Sequence, residues 1–269
     1  NTQSEINDIN LSALIELIRT NGHSTSGYDV QGDWAELNEP RDLARFILGT
    51  KAETLSRLRG MIQYAVIQDQ VSFTVENWNE NSLELKENVQ SMFKNQKVIV
   101  RSSAKSEDGF TYSNAGAYVS LLNVDPISGL NSAVDDVINS YQNCKSNDQV
   151  LIQPMVIDVV MSGVVFTRTL EQGSPYYVVN YEESGSTEGI TSGISCKNKV
   201  LYLRKDLSNE VVADQRLVGL LCAVKEIETL LSYDALDIEF ALNSSSEVHI
   251  LQVRPIAIQQ GDVDELYEA

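Results

Sequence analysis

Two short segments near the carboxyl end constrain the fold of this chain more than any other feature of its sequence. Residues 236–242 and 247–253 each alternate polar and apolar side chains, which is the period of a half-buried β-strand. The Ser-rich stretch between them, residues 244–247, has the length of a hairpin loop. With Asn243 paired to Val248, the two segments form an antiparallel hairpin.

One face of this predicted hairpin carries charged and amide side chains. In that register Glu239 lies opposite Gln252, and Asp237 lies opposite Arg254. A carboxylate beside an amide oxygen is a ligand pair suited to Mg²⁺, and a neighbouring arginine suits a phosphate. The same spacing also fits an exposed face with an ordinary Asp–Arg cross-strand pair, so spacing alone leaves both interpretations open.

The rest of the pattern predicts an α+β protein with mixed strands. Thr50 and Glu53 form an S/T-x-x-E capping box, which predicts that a helix starts at Thr50. Further helices are predicted over residues 4–20, 82–93, 128–144 and 214–232. Further strands are predicted over residues 98–100, 118–124, 150–155, 164–167, 176–181 and 200–203. Predicted strands dominate from about residue 149 onward, and we therefore place a boundary between two lobes near residue 148.

The formal net charge of −18 argues against nucleic acid and anionic membranes as partners, because such a surface repels polyanions. A phosphorylated ligand would have to be held by a few local cations or by a bound metal. Cys144, Cys196 and Cys222 have neither disulfide nor zinc spacing. The sequence has neither an apolar secretory signal at its start nor a run of about 18 apolar residues that could span a membrane. These observations favour a cytoplasmic protein with reduced thiols.

Lys51 and Arg101 are candidate phosphate ligands. Lys51 lies at the start of the helix predicted from Thr50, where the helix dipole disfavours a cation unless an anion is held there too. Arg101 ends an apolar strand and opens a loop rich in Ser and Gly. Taken alone, each position is more typical of a solvated side chain than of a phosphate ligand. No Walker or Rossmann glycine motif occurs. The chain has only two histidines, which argues against a serine-hydrolase site and against a histidine–metal site.

Six sequence blocks stand in a fixed order within residues 45–258. They are L-G-T-K-A-E-T-L at 48–55, V-R-S-S-A with E-D at 100–108, S-N-A-G at 113–116, Q-P-M-V with S-G-V-V-F-T at 153–167, D-I-E-F at 237–240 and L-Q-V-R-P-I at 251–256. In this order they resemble the ATP-binding domain of the pyruvate phosphate dikinase and phosphoenolpyruvate synthase family. The first block has Gly-Thr where that family usually has two glycines.

The resemblance implies an ATP-grasp fold, in which ATP lies between two lobes with mixed or antiparallel sheets and flanking helices. The implied lobes are residues 45–148 and 149–258. They follow an extension of unknown role, residues 1–44, and precede a tail, residues 259–269, that would lead to an absent phosphohistidine domain.

The resemblance also implies roles for the residues that match the motifs. Lys51 and Arg101 would contact phosphates, and Arg254 would stabilise the phosphoryl group in transfer, so these three are the implied catalytic residues. Glu239 and Gln252 would bind Mg²⁺ and, through it, the nucleotide.

Two further segments are implied to bind ATP. The adenine would meet the chain at residues 153–156, which include Gln153 and Met155. The S-x-A-G loop, with Ser113 and Gly116, would cover the phosphates.

The implied reaction moves the β-phosphate of Mg-ATP to a histidine and releases AMP and phosphate. In the family this histidine belongs to a T-S-H motif on a swivelling domain, and a further domain binds the acceptor. The sequence of the first block, G-T-K-A-E-T-L, more closely resembles a synthase-like subgroup of the family that includes an L-glutamine kinase of bacterial capsule biosynthesis. The acceptor would therefore be the L-glutamine amide or pyruvate, and both missing domains would be partners within a longer protein.

Two other functions compete with this interpretation. A non-catalytic ATP-sensing or interaction module would bind ATP without phosphorylating a histidine. An ordinary ATP-grasp ligase is a further possibility, but the R-S-S-A and L-Q-x-R-P blocks argue against it.

Overall fold

The computed structural model describes residues 11–23, 40–94, 96–104, 119–141, 143–183, 198–206 and 214–256. The helices in these ranges are α1 Leu11–Thr20, α2 Pro40–Ile47, α3 Lys51–Leu58, α4 Val75–Phe93, α5 Leu130–Asn139 and α6 Gln215–Leu231. The strands are β1 Val71–Thr74, β2 Val98–Ser103, β3 Ser120–Val124, β4 Gln149–Pro154, β5 Val159–Phe166, β6 Tyr176–Glu182, β7 Lys199–Arg204, β8 Leu236–Asn243 and β9 Val248–Pro255. The predicted α+β class is confirmed.

Helix α1 belongs to a compact unit of residues 1–36, and all the other elements belong to a second unit of residues 37–269. Within the described part of the first unit, α1 accounts for the carboxyl-terminal half of the helix predicted over residues 4–20. None of the described helices is both long and apolar enough to span a membrane.

The first sheet of the larger unit has the strand order β1-β4-β2-β3, and neighbouring strands are antiparallel. Its core joins apolar residues of α4 and α5 to apolar residues of the strands, among them Val89, Phe93, Val134, Val137, Val98, Val100, Val150 and Ile152. Because side chains alternate along a strand, Ile99 and Arg101 lie on the face opposite Val98 and Val100.

The second sheet has the order β7-β6-β5-β8-β9 and is also antiparallel. Helices α2, α3 and α6 cover one face, with a core that includes Ala44, Leu55, Leu58, Leu220, Ile227, Val165, Val179 and Ile238. A Cβ added at Gly163 of β5 would meet the Asn180 carbonyl oxygen at 2.2 Å and the Phe240 ring at 2.9 Å. Only glycine therefore fits at this position of the S-G-V-V-F-T block.

The last two strands form the predicted hairpin, but the register next to the turn differs from the prediction by one residue. Leu242, and not Asn243, is the partner of Val248. The predicted Asn243–Val248 pair is therefore wrong. Asn243 instead joins the turn, where its side-chain oxygen accepts bonds from the backbone N–H groups of Ser245 and Glu247 at 3.0 and 2.9 Å.

A β-bulge on β9 restores the predicted register further along the hairpin. The pairing shifts by one residue at Leu251, which has no partner of its own on β8. Beyond the bulge Glu239 lies opposite Gln252, and Asp237 lies opposite Arg254. These two predicted cross-strand pairs are confirmed, and all four side chains share the face of the sheet opposite the helices.

Several element boundaries differ from the prediction. Strand β1 and helix α2 were not predicted. Helix α4 begins at Val75, because the Thr74 hydroxyl accepts a bond from the Asn77 N–H and caps the helix, and it is kinked at Asn81, so the helix predicted over residues 82–93 is its second part. Helix α5 ends at Asn139, where the Ser140 hydroxyl donates to the Val137 carbonyl, rather than at residue 144. Strand β4 pairs within the first sheet, so the chain changes sheet after Pro154.

Candidate functional site

A cleft lies between the two sheets of the larger unit. The first sheet contributes residues of β2 and β3, and the second contributes residues of β5, β8 and β9. Four of the predicted site residues line the cleft: Arg101, Gln153, Met155 and Glu239. Residues that motifs had placed some 140 positions apart in the chain are thus brought to one surface.

Arg101 joins the two sheets at the base of the cleft. Its guanidinium donates from Nη2 to Glu239 Oε2 at 2.9 Å and from Nη1 to the Leu251 carbonyl oxygen at 2.8 Å. The Leu251 carbonyl belongs to the bulged residue of β9, so the bulge supplies the second acceptor. Arg101 is only 4% exposed, and its Nε is buried without a hydrogen-bond partner among the described residues.

Glu239 is an ionised carboxylate surrounded by cations. Burial raises its pKa, but the charges of Arg101, Lys51 and Arg254 together with the Arg101 hydrogen bond outweigh burial and lower the pKa below its ordinary value. The carboxylate is therefore charged at neutral pH. Three cations around one carboxylate make this part of the cleft locally positive, although the chain as a whole carries −18.

The start of α3, which carries Lys51, is fixed by an amide from the first sheet. The capping box predicted for Thr50 and Glu53 is present in full. Gln149 of β4 bridges its two members, because it accepts from the Thr50 hydroxyl at 2.8 Å and donates to Glu53 Oε1 at 3.0 Å.

A second bond ties the same helix end to strand β2. The Ala52 N–H, one of the unsatisfied donors of the first helical turn, donates to Ser103 Oγ at 2.9 Å. Lys51 lies between Thr50 and Ala52, the two residues that these bonds hold in place, and is buried. The sequence pointed to Lys51, but not to Gln149 and Ser103, which hold its helix in place.

The anchor on the capping box gives a first prediction. Replacing Gln149 by Ala should lower the free energy of unfolding by about 1–2 kcal/mol, since it removes two hydrogen bonds that support a helix cap. Urea denaturation followed by circular dichroism measures this loss. The exposed Gln172→Ala is the matched control and should change stability by less than about 0.5 kcal/mol. Equal stabilities of the two variants would contradict the anchoring role.

Arg254 is held in a fixed orientation by Asp237. The Asp237 Oδ2 atom accepts from Arg254 Nε at 2.7 Å and lies 2.6 Å from Nη2. Both side chains are largely buried, so the planar guanidinium has little rotational freedom. The positive charge of Arg254 helps to lower the pKa of Glu239, so the two side chains interact electrostatically.

The other end of the cleft is apolar and is formed by the segment that crosses between the sheets. Gln153 and Met155 line it, as does Val156. The sequence prediction missed other apolar residues that line the cleft, among them Ile99, Leu122, Ile250 and Leu251. Ile99 alternates with Arg101 on β2, but the other three lie on β3 and β9, and their place at the cleft becomes known only once the strand pairing is known. Ser113 and Gly116 lie outside the described residues.

Glu239 and Gln252 fit as two protein ligands of a magnesium ion whose other ligands are phosphates and water. An ionised carboxylate and a buried amide stand directly opposite each other on adjacent strands. Among the described residues, no group of three or more His, Cys, Asp or Glu could hold a cation by itself. Mg²⁺ commonly takes one or two protein ligands and completes its shell with substrate phosphates and water.

One known protein family matches this chain over more than half of its length. Residues 48–195, more than half of the 269-residue chain, match the family described as "Pyruvate phosphate dikinase, AMP/ATP-binding domain". The chain belongs to this family. The match covers Lys51, Arg101 and the crossing segment 153–156. Membership and the two antiparallel sheets with flanking helices support the predicted ATP-grasp architecture and an ATP-using domain.

Solved structures of ligases are similar over most of this chain. The D-alanine–D-alanine ligase of Coxiella burnetii has 10% identity and a TM-score of 0.46, and covers 80% of this chain and 50% of the ligase. The D-alanine–D-alanine ligase of Helicobacter pylori has 18% identity and a TM-score of 0.45, and covers 78% of this chain and 55% of the ligase. This chain thus spans about half the length of these ligases. A comparison with curated proteins finds no significant match.

Proposed function

We propose that this chain binds Mg-ATP in the cleft and is the nucleotide-binding part of a cytoplasmic phosphotransferase. The observation that carries the proposal is the setting of Glu239: an ionised carboxylate beside three cations and opposite an amide, at the base of a cleft whose other end is apolar. A triphosphate with its metal suits the charged end, and a purine suits the apolar end.

The orientation of the nucleotide follows from these two ends. The adenine would lie against the crossing segment that contains Gln153 and Met155. The phosphates would lie between Lys51 and Arg101 on one side and Arg254 on the other. Glu239 and Gln252 would hold Mg²⁺, which neutralises phosphate charge when it is bound.

In this proposal the protein performs little covalent chemistry itself. Phosphoryl transfer is accelerated mainly by positioning and by neutralising the charge that spreads over the transferred group. Arg254, fixed by Asp237, is oriented to donate to that group. Arg101 and Lys51 hold the phosphates that remain, so that the leaving group does not move with the transferred one.

The proposed acceptor is a histidine on another domain of a longer protein. His249 is buried, and its ring nitrogens contact the side-chain amides of Gln68 and Asn243, so it is not presented to a phosphate. A carrier histidine would attack the β-phosphorus and displace AMP, and water would then cleave the bond to the γ-phosphate, which releases phosphate and leaves the β-phosphoryl group on the histidine. It would then pass the phosphoryl group to a small acceptor, for which we propose the L-glutamine amide or pyruvate.

Calorimetry with Mg-ATP tests the binding part of the proposal. The wild-type chain should bind, and Lys51→Ala should weaken binding at least about 10-fold, because a charge-assisted bond to phosphate contributes about 1.5–3 kcal/mol. Lys97→Ala is the matched control, since the Lys97 side chain forms a surface ion pair with Asp125 and does not line the cleft. Absence of binding to the wild type, or unchanged affinity in Lys51→Ala, would contradict the proposal.

A further inference from the structure

Thr167 ends the S-G-V-V-F-T block but has no part in the proposed function. It directly follows strand β5, and its side chain is fully buried. A buried hydroxyl is nearly always hydrogen-bonded, so its partners indicate what the residue does. The partners of Thr167 belong to the segment that leads into strand β8.

The Thr167 hydroxyl bonds to the backbone on both sides of Ala235. It donates to the Asp234 carbonyl oxygen at 2.6 Å and accepts from the Leu236 N–H at 2.7 Å. The Thr167 backbone N–H also donates to the Leu236 carbonyl oxygen at 2.8 Å. Leu236 is the first residue of β8, so Thr167 fixes the position at which this strand starts.

The hydroxyl replaces a backbone acceptor at the end of the ladder between β5 and β8. Two residues of a hydrogen-bonded pair in an antiparallel ladder exchange both of their N–H···O bonds. Thr167 and Leu236 form one of these bonds, from the Thr167 N–H, and the side-chain hydroxyl accepts the other. Without the hydroxyl, the N–H of the fully buried Leu236 would lose its acceptor.

The start of β8 leads directly to the carboxylate that orients Arg254. Asp237 follows Leu236 in the chain and pairs with Phe166, the residue before Thr167. The Asp237 Oδ2 atom holds the Arg254 guanidinium. A displacement of the start of β8 would therefore move Asp237 and turn the guanidinium.

The ion pairs around Asp234 are weaker restraints on the same segment. The Asp234 carboxylate accepts from Arg168 Nε at 3.1 Å and from Arg168 Nη2 at 2.7 Å, and Lys205 Nζ lies 3.4 Å from it. The Asp234 side chain is half exposed, and solvent weakens ion pairs of this kind. The Thr167 hydroxyl is buried, so water does not compete for its bonds.

We propose that Thr167 is a positioning residue for phosphoryl transfer, whose hydroxyl fixes the start of β8 and thereby the Asp237 carboxylate that orients Arg254. Because this role requires Arg254 to act on the transferred phosphoryl group, it rests on the proposed function. Thr167 does not line the cleft, so its loss should lower the rate of transfer and leave nucleotide affinity nearly unchanged.

Transfer of label from β-labelled ATP tests this role in the longer protein that contains the carrier histidine. Thr167→Val keeps the shape of the side chain but lacks the hydroxyl, and it should slow transfer about 10-fold, because a small displacement of a positioned group lowers the rate steeply. Mg-ATP affinity, measured by calorimetry on the same protein, should change by less than about twofold. Thr167→Ser keeps the hydroxyl and should transfer within about threefold of the wild-type rate. A loss of affinity as large as the loss of rate would overturn the proposal.

A double-mutant cycle with Arg254 determines whether Thr167 acts through that residue. In an Arg254→Ala background, Thr167→Val should slow transfer by less than about twofold further, because the group that Thr167 positions is already absent. A further loss of about 10-fold would show that the two residues act independently and would overturn the proposal.

Val137→Ala controls for a general loss of stability. Val137 is a buried residue of α5 in the core of the first sheet. Val137→Ala and Thr167→Val should both unfold at lower urea concentrations than the wild type, since the first leaves a cavity and the second leaves buried backbone groups without partners. Val137→Ala should nevertheless transfer at the wild-type rate. Wild-type transfer in Thr167→Val, or equal slowing in both variants, would leave Thr167 with a structural role alone and overturn the proposal.

A second substitution replaces Thr167→Val if that protein does not fold. Thr167→Cys carries a thiol, which is a weaker hydrogen-bonding group, and should slow transfer at least about threefold with affinity unchanged. Transfer at the wild-type rate in Thr167→Cys would then overturn the proposal. A wild type that binds no Mg-ATP, or that labels no histidine, would contradict the proposed function itself and this role with it.

Discussion

Replacing Arg101 by Ala should cost about 3–5 kcal/mol of folding stability, because the substitution leaves the Glu239 carboxylate buried without its principal partner. Mg-ATP affinity should fall at least about 100-fold, since the same guanidinium is proposed to hold phosphates. Urea unfolding and calorimetry measure the two effects on the same preparations.

The pH dependence of this variant follows from the sign of the Glu239 shift. Its pKa is lowered in the folded chain relative to the ordinary value of 4.5, so the cations stabilise the fold fully above that value. As the pH falls through the lowered pKa, Glu239 becomes protonated and the stabilisation is lost. The difference in stability between wild type and Arg101→Ala should therefore be largest near neutral pH and shrink in acid.

Two further variants control for a general loss of charge. Arg168→Ala removes a partly exposed ion pair with Asp234 and should cost only about 1 kcal/mol. Adding Glu239→Gln to Arg101→Ala should recover stability but not ATP binding, because the buried charge is removed while the phosphate contact stays absent. An Arg101→Ala protein as stable as Arg168→Ala would contradict the bridging role.

Replacing Arg254 by Ala should slow phosphoryl transfer by about 100- to 1,000-fold in the longer protein that contains the carrier histidine. Mg-ATP affinity should fall by less than about 10-fold, because the proposed contact strengthens only as charge develops on the transferred group. Transfer of label from β-labelled ATP to the protein measures the first effect, and calorimetry measures the second.

Conservative variants keep this test informative if the alanine variant is unstable. Arg254→Lys retains the charge but loses the planar fork that Asp237 orients, so its transfer rate should lie between those of wild type and Arg254→Ala. Arg204→Ala, which removes an exposed ion pair with Asp206, should transfer at the wild-type rate. Unchanged transfer in Arg254→Ala would disprove the proposed role, and a wild type that binds ATP but labels no histidine would favour the sensing module.

The hairpin illustrates how a sequence prediction can reach the right site by an incomplete route. Alternation correctly predicted that Glu239 faces Gln252 and that Asp237 faces Arg254. The predicted turn was nevertheless wrong by one residue, and only the extra residue Leu251 brings the two strands back into the predicted pairing. A bulge has no signature in a strand of alternating residues, because its position depends on the partner strand and on tertiary contacts such as that of Arg101 with the Leu251 carbonyl.

The elements that were missed share a physical cause. Strand β1 has four residues, and α2 has eight, which is too short for a periodic pattern to stand out. The first turns of α4 read Val-Glu-Asn-Trp-Asn-Glu-Asn, a polar sequence that is typical of a loop, and the helix forms because Thr74 caps it and Val75 and Trp78 are buried. The motifs found Lys51 and Glu239, but Gln149 could not be found, since its importance lies in its contacts with Thr50 and Glu53.

The unpaired residue Leu251 supplies a contact between the two sheets and can be removed without changing a cross-strand pair. Without it, Ile250 would still lie opposite Phe240 and Gln252 opposite Glu239, so each face of the hairpin would keep its side chains. The deletion would nevertheless remove the carbonyl oxygen that accepts from Arg101 Nη1. A hairpin of regular pairing would therefore hold the same side chains but would grip Arg101 through Glu239 alone.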